Sequence, residues 1–319
     1  MPQGRARRAG TTAWLVSLAL ALTGCVAQRD GAGPRSPTPS ATSSAPSSAS
    51  AVIDADWSRL AGHGYVYFHA RTDDEKHYEL FRADLASGDL AQVTDLSGPF
   101  GVSNFSVSRA GLVVADASSL SDEAKWLRPD GSLERLPGPR ALGPSVNDEG
   151  DVLASIVTGS TESLAILRAD TSHWDHISSD GRGWTVSWWG GDDSVVLLTI
   201  GRRRTTWSRI GVDGRQGPDR PVAPGTYLPG YVTRDDQPVV MAARRGDTGL
   251  LWTPGQQPRT LPSGWEDGCV SPDGARLLLM SRGRLAVLDV TDLAGPVDEV
   301  GTFTTRILGC GWVEEKFGP

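Results

Sequence analysis

Two histidines with the spacing of metal ligands, His173 and His176, are the first residues of this 319-residue sequence that could do chemistry. Imidazole nitrogens are common ligands of zinc and copper, so such a pair could supply half of a metal site. However, the segment has the pattern of a turn and an outer strand, and strand residues three apart point to opposite faces of a sheet. We therefore interpret both as solvent-facing residues and predict no metal and no cofactor.

Acidic doublets could hold calcium or act as catalytic carboxylate pairs. They are Asp73-Asp74, Asp192-Asp193 and Asp235-Asp236. The last two fall in a recurring turn phrase, where Asp side chains accept hydrogen bonds from main-chain amides, so we interpret them as hairpin caps. The sequence has no Gly-x-Ser-x-Gly, Ser-x-x-Lys or His-Glu-x-x-His motif and no phosphate-binding loop, and we predict that the protein is not an enzyme.

A column of aromatic residues is the best candidate for a binding surface. Aligning the predicted first strands of successive repeats places Trp184, Tyr227 and Trp265 at equivalent positions near the strand starts. A column two positions later holds one carboxylate, Asp267, whereas a calcium-dependent hydrolase needs several acidic or amide groups there. The three aromatic side chains could anchor a peptide or glycan, or they could pack between repeats as core. We take these three residues and Asp267 as candidate binding residues.

Short β-strands, repeated about every 40 residues, must position these side chains. From about residue 57 onward, apolar and β-branched runs alternate with Gly, Asp and Pro, and no helical period persists. One turn phrase, clearest at 271–274, has its fourth residue at positions 111, 150, 193, 236 and 274. A second phrase, clearest at 82–88, occurs six times. Four short strands at this spacing are typical of a propeller blade, so the sequence predicts six blades.

The two ends of the repeat region look like parts of one blade. Residues 64–68 have the pattern of a second strand with no first strand before it, and residues 311–315 that of a first strand with nothing after it. We predict that these segments pair in one sheet. Such pairing closes the ring and removes exposed sheet edges.

The Ser-Pro-Asp-Gly phrase at 271–274, the repeat spacing and the blade count resemble the TolB-like six-bladed propellers built from WD40-like repeats. The resemblance covers roughly residues 57–319, and residues 267–290 come closest to the family pattern. It implies an all-β fold, a six-bladed β-propeller. It also implies a binding or scaffolding role in the cell envelope, which is the role of most such domains.

The N-terminus has the pattern of an export signal, with cationic residues at 5–8 and an apolar run at 14–22. Residues 22–25, Leu-Thr-Gly-Cys, resemble the lipobox of bacterial lipoproteins, which implies cleavage before Cys25 and attachment of diacylglycerol to its sulfur. An ordinary cleaved signal and a retained anchor helix are the alternatives. The next residues are rich in Ser, Thr, Pro and Ala and have no apolar period, which is typical of a flexible linker.

These patterns predict three regions and one location. We expect a signal peptide at 1–24, a lipid-anchored linker at 25–56 and a propeller at 57–319. The protein would lie on the extracytoplasmic face of the cell membrane, held by the lipid on Cys25.

Two further cysteines, Cys269 and Cys310, lie on the predicted first strands of adjacent blades. Neighbouring inner strands converge toward the propeller axis, and an oxidising compartment permits a bridge. We predict a disulfide between them, with two buried thiols as the alternative.

Charge excludes one class of partner. The formal net charge of −7 becomes −10 once a signal peptide carrying Arg5, Arg7 and Arg8 is removed, so the mature chain is unsuited to nucleic acid. We predict a monomeric, non-catalytic lipoprotein that binds an envelope protein, peptide or glycan. The alternatives are a propeller-fold hydrolase or lyase acting on envelope polysaccharide or a small molecule, and a sensor or accessory subunit of a membrane complex.

Overall fold

The computed structural model describes residues 53–319 except 61–63, 73–76, 97–99, 118–121, 179–183, 190–193, 201–204, 222–225, 235–236, 245–247, 253–256, 258, 266 and 293–294. Every described residue belongs to one compact unit, residues 46–319. Within these ranges, no helix has the length and apolar character needed to cross a membrane.

Short strands make up almost all the regular structure of the described residues, as the repeated apolar runs predict. A single 3-10 turn, Trp57–Leu60, is the exception among them. In chain order the strands are β1 Ile53–Ala55, β2 Tyr65–Arg71, β3 Tyr78–Asp84, β4 Leu90–Gln92, β5 Val102–Ser108, β6 Gly111–Asp116, β7 Glu123–Leu127, β8 Leu133–Arg135, β9 Arg140–Val146, β10 Val152–Thr158, β11 Thr161–Leu167, β12 Trp174–Ser178, β13 Trp184–Trp189, β14 Ser194–Ile200, β15 Thr205–Gly211, β16 Arg220–Pro221, β17 Thr226–Arg234, β18 Gln237–Arg244, β19 Thr248–Trp252, β20 Arg259–Thr260, β21 Asp267–Val270, β22 Arg276–Ser281, β23 Arg284–Asp289, β24 Asp298–Phe303 and β25 Ile307–Val313.

These strands form an all-β propeller whose antiparallel sheets are six in number. Five sheets have four strands and one has five. The sheet orders are β25-β2-β3-β4, β5-β6-β7-β8, β9-β10-β11-β12, β13-β14-β15-β16, β17-β18-β19-β20 and β21-β22-β23-β24-β1. We call the first strand of each sheet, β5, β9, β13, β17, β21 or β25, its inner strand. We call the end of the sheets at which the inner strands begin the entry face.

The turn phrases close hairpins, as the sequence predicts. The phrase at 271–274 joins β21 to β22, and its Asp273 accepts hydrogen bonds from the Ala275 amide (3.0 Å) and the Ser271 hydroxyl (2.5 Å). These two hydrogen bonds hold the pKa of Asp273 below its ordinary value, and the bond from the Ser271 hydroxyl has the larger effect. The second phrase joins the third and fourth strands, and Asp84 caps it at the Ala86 amide. The carboxylates of these two turns therefore accept hydrogen bonds from main-chain amides and stabilise the turns.

The predicted pairing of the two chain segments is confirmed. Strand β25 lies antiparallel to β2, with Tyr65 opposite Val313 and Phe68 opposite Cys310. Neighbouring inner strands also contact each other. Strand β5 contacts β25 and β9, strand β9 also contacts β13, and strand β21 contacts β17 and β25. The last strand of the chain therefore completes the first sheet.

The folded region begins earlier in the chain than the sequence predicts. Strand β1 (Ile53–Ala55) adds to the free edge of β24, with Ile53 opposite Phe303, so residues 53–56 do not belong to the predicted linker. Trp57 and Leu60 then pack into the core between the last and first sheets. Burial of these apolar side chains explains why the sheet takes a fifth strand.

The core lies largely in layers between neighbouring sheets, and buried side chains of two sheets share each of four apolar clusters. Such pairs are Phe68 and Leu278, Tyr67 and Leu112, Val113 and Val152, and Leu153 and Val195. Polar bonds join inner strands as well: the Val146 amide donates to the Ser106 hydroxyl (2.9 Å), and the Ser108 hydroxyl donates to the Asn147 carbonyl (2.7 Å).

A disulfide joins Cys269 on β21 to Cys310 on β25, with the two Cα atoms 5.6 Å apart. It links the last and first sheets at the point where the ring closes. This is the pairing that the position of the two cysteines on adjacent inner strands predicts.

Candidate functional site

Four inner strands carry β-bulges, three of them near the entry face. The register shifts at Ser103 in β5, at Gly143 and Pro144 in β9, at Leu228 in β17 and at Leu308 in β25. A bulge interrupts the hydrogen-bond ladder and changes the direction of a side chain, and bulges are frequent next to functional sites. Ser103 and Leu308, the extra residues of two of these bulges, are both exposed.

A buried histidine lies beside two of these bulges. His69, on β2, is 4% exposed, and its Nε2 lies 2.7 Å from the Val102 carbonyl oxygen at the start of β5. Its ring meets Tyr78 and Phe105 edge-on, at centroid distances of 5.2 and 6.4 Å. Burial lowers the pKa of His69 to about 4, against a smaller opposing effect of the Val102 bond. The imidazole is therefore neutral at neutral pH.

The strand residue opposite His69 is Gly309 on β25. A Cβ atom at Gly309 would meet nothing within 4 Å, so there is open space beside this glycine at the inner strand. The strand position opposite His69 therefore borders open space, although the imidazole ring itself is buried.

A carboxyl and an imidazole pair at the same end of the first sheet. Oε1 of Glu79 lies 3.3 Å from Nε2 of His77 and accepts a hydrogen bond from the Leu96 amide (2.9 Å). The Thr94 hydroxyl donates to the other carboxyl oxygen. Glu79 is fully buried, and burial raises its pKa despite these hydrogen bonds. A carboxyl with a raised pKa beside an imidazole can exchange a proton with it.

Two large apolar side chains reach solvent at this end. Phe100 is 55% exposed and Leu308 is 39% exposed. The Phe100 carbonyl accepts a hydrogen bond from the Tyr78 amide (3.1 Å), which places Phe100 at the start of β3, next to the His77 and Glu79 pair. We call His69, His77, Glu79, Phe100 and Leu308 the entry-face site. Exposed apolar surface commonly marks interaction sites, and both of these side chains lie at the entry end of the first sheet.

The candidate binding residues from the sequence lie partly elsewhere. Trp265 is 3% exposed, shares a core cluster with Leu277 and has the Arg284 guanidinium 4.8 Å from its ring centroid. It therefore packs as core, one of the two alternatives for its column. The backbones of Trp184, Tyr227 and Asp267 lie on the inner strands β13, β17 and β21, and their side chains are outside the described residues.

The two histidines with metal-ligand spacing have separate side-chain neighbours. His176 bonds the Ser163 hydroxyl through Nδ1 (2.8 Å), and His173 lies exposed beside Asp175. Among the described residues no group of three or more His, Cys, Asp or Glu side chains could hold a metal ion. Cys25 and the acidic doublets at 73–74, 192–193 and 235–236 lie outside the described residues.

Few sequence features point to the entry-face site. Strand alternation places His69 on the same face of β2 as Tyr67, and this was the one usable signal. Nothing local to residues 77–79 or to Phe100 shows that they meet at the start of β3.

Comparison with known proteins supports the fold. No family model matches the chain, and no curated protein matches its sequence significantly. Among solved structures, TolB from Acinetobacter baumannii superposes with a TM-score of 0.62 and 13% identity, covering 78% of this chain and 66% of that one. The chain thus spans slightly less than two thirds of that TolB.

Two further propellers are similar. A chain of a nidogen/laminin complex gives a TM-score of 0.58 at 11% identity, over 80% of this chain and 100% of that one. A streptogramin B lyase gives a TM-score of 0.52 at 15% identity, over 82% of this chain and 86% of that one. At these identities the likeness establishes a shared propeller fold, which supports both binding proteins and enzymes.

Proposed function

We propose that this chain is a lipid-anchored, non-catalytic, six-bladed propeller that binds an envelope protein or peptide at its entry-face site. The exposure of Phe100 and Leu308 at one end of the first sheet is the observation that carries the proposal. Aromatic and aliphatic side chains that can be buried on contact supply most of the binding energy at protein interfaces. The bulge at Leu308 supports this, since the extra residue of the bulge is an exposed apolar side chain.

The anchor is part of the proposal. Cys25, with its lipobox-like context, would hold the propeller at the membrane, and the linker before β1 would let the entry face reach partners there. Replacing Cys25 by Ser should move the protein from the membrane fraction to the soluble fraction. Continued membrane attachment of the Cys25→Ser protein would contradict lipid anchoring.

Binding at the entry face is tested by two serine substitutions and a matched control. Phe100→Ser with Leu308→Ser should reduce capture of partners from solubilised envelopes at least tenfold. Val212→Ser provides the control, because Val212 is 37% exposed but lies at the opposite end of its sheet, in the turn after β15. Capture that is equal in both variants and in the wild type would contradict binding at this site.

A second candidate function is a hydrolase or lyase acting on envelope polysaccharide or a small molecule. The pairing of His77 with the buried Glu79 favours it, because such a pair is suited to general acid and base catalysis. Turnover of envelope polysaccharide by the wild type, lost in Glu79→Gln, would support an enzyme. Absence of turnover with intact partner capture supports the binding role.

A further inference from the structure

A segment after the last strand fills a groove between the first two sheets. Residues 317–319 lie against Tyr67 and Arg82 of the first sheet and close to Leu127 and Gly131 of the second. Gly318 is buried with a positive φ of +75°, and a Cβ atom there would come within 2.5 Å of Val93. The groove therefore accepts only glycine at this position.

The groove recognises peptide main chain. The Tyr67 hydroxyl accepts a hydrogen bond from the Phe317 amide (2.5 Å) and donates to the Phe317 carbonyl (3.1 Å). The two aromatic rings also contact each other, with centroids 6.4 Å apart. Burial raises the pKa of Tyr67 to about 12, so the hydroxyl keeps the proton that it donates.

A buried guanidinium faces the same segment. Arg82 is 6% exposed and lies 5.7 Å from the centroid of the Tyr65 ring. Its Nη1 donates to the carbonyls of Phe317 (3.0 Å) and Gly318 (3.4 Å), whereas its buried Nε has no hydrogen-bond partner. Among the described residues, none of the ion pairs includes Arg82. Buried charges are normally paired, so this cation has unused capacity for an anion.

We propose that this groove is a binding site for a peptide that ends in an aromatic residue and glycine with a free carboxylate, and that residues 317–319 are a displaceable occupant. The aromatic residue and the amide before the glycine would take the contacts that Phe317 makes with Tyr67. The terminal carboxylate would replace the Gly318 carbonyl beside Arg82, where it could accept a charge-assisted hydrogen bond from Nη1. This proposal rests on contacts of the groove alone and does not depend on the entry-face site.

The probe is a labelled pentapeptide with the sequence of residues 314–318, Glu-Glu-Lys-Phe-Gly, made as a free acid and as a C-terminal amide. It is titrated by fluorescence anisotropy into the full chain carrying Phe317→Ala, which weakens the internal occupant. The acid should bind about tenfold more tightly than the amide, because only the acid can pair with Arg82. Wild-type protein should bind the acid at least about tenfold more weakly than the variant, because its own segment competes.

Variants of the groove test the contacts. Tyr67→Phe added to Phe317→Ala should weaken binding of the acid, since the hydroxyl is lost, whereas Tyr65→Phe, which keeps the ring beside Arg82, should not. A folded Phe317→Ala protein that does not bind the peptide, or that binds acid and amide equally, overturns the proposal. Should Phe317→Ala fail to fold, titration of the wild type decides: saturable binding of the acid supports a displaceable occupant, and no binding shows that the segment is a fixed part of the ring.

Discussion

Gly309 and Gly311 lie two residues apart on the same side of β25 but differ in how closely other atoms pack against them. A Cβ atom at Gly311 would overlap Cγ1 of Val107 on the neighbouring inner strand, whereas one at Gly309 would meet nothing within 4 Å. The strand that closes the ring therefore packs closely on β5 at one glycine and leaves open space at the other.

This difference predicts unequal effects of one substitution. Gly311→Ala should lower the free energy of unfolding by about 1–3 kcal/mol. The added methyl group would overlap the side chain of Val107, and relieving that overlap strains the packing of the two strands. Gly309→Ala should change it by less than about 0.5 kcal/mol. Urea unfolding of both variants measures the difference, and equal midpoints would contradict the packing of β25 against β5.

The disulfide between Cys269 and Cys310 should stabilise the closed ring. The bridge closes a loop with a sequence separation of 41, and the chain-entropy estimate for such a loop is about 4 kcal/mol. Cys269→Ser and Cys310→Ser, singly or together, should each lower the free energy of unfolding by a similar amount, because either removes the whole bridge. Free thiols at both positions in mass spectra of unreduced protein would show that the bridge is absent.

Trp57 tests whether the folded region begins at β1. It is 3% exposed and its ring centroid lies 5.7 Å from that of Phe68. Trp57→Ala should cost about 3–5 kcal/mol of stability, as for other large buried aromatic side chains. Ser58→Ala, at an exposed neighbouring position, should cost far less, and a small effect of Trp57→Ala would place the segment outside the fold.

His69 should make stability depend on pH. Its pKa of about 4 in the folded protein lies below the ordinary 6.5, so the unfolded chain binds more protons between these values. The free energy of unfolding should therefore fall as the pH falls through this window, with a contribution from His69 of about 2 kcal/mol between pH 7 and pH 5. The raised pKa of Glu79 acts in the opposite direction, since it favours the folded state at lower pH.

The control for this effect is His69→Gln, which keeps a donor for the Val102 carbonyl and leaves Glu79 unchanged. Denaturant unfolding at both pH values should show a smaller loss of stability on acidification in the variant than in the wild type. The same pH dependence in both proteins would mean that His69 is not held neutral by burial.

The turn phrases made most of the fold predictable, because hairpin caps such as Asp273 and Asp84 are local features. The pairing of β25 with β2 was also predictable, since each end lacked the strand that the other supplied. Strand β1 was not, because its three residues follow a stretch rich in Ser, Thr, Pro and Ala, and their burial depends on β24, far along the chain. The same holds for Trp265: whether it lines a rim or packs as core depends on the position of Arg284, which local sequence does not reveal.

Crosslinking in intact cells tests the proposed function most directly. A photoreactive amino acid at position 100, on the entry face, should give a discrete crosslinked product with an envelope protein, and the same amino acid at position 212, at the opposite end of its sheet, should not. A product from position 212 but not from position 100, or none from either at full expression, would contradict partner binding through the entry-face site.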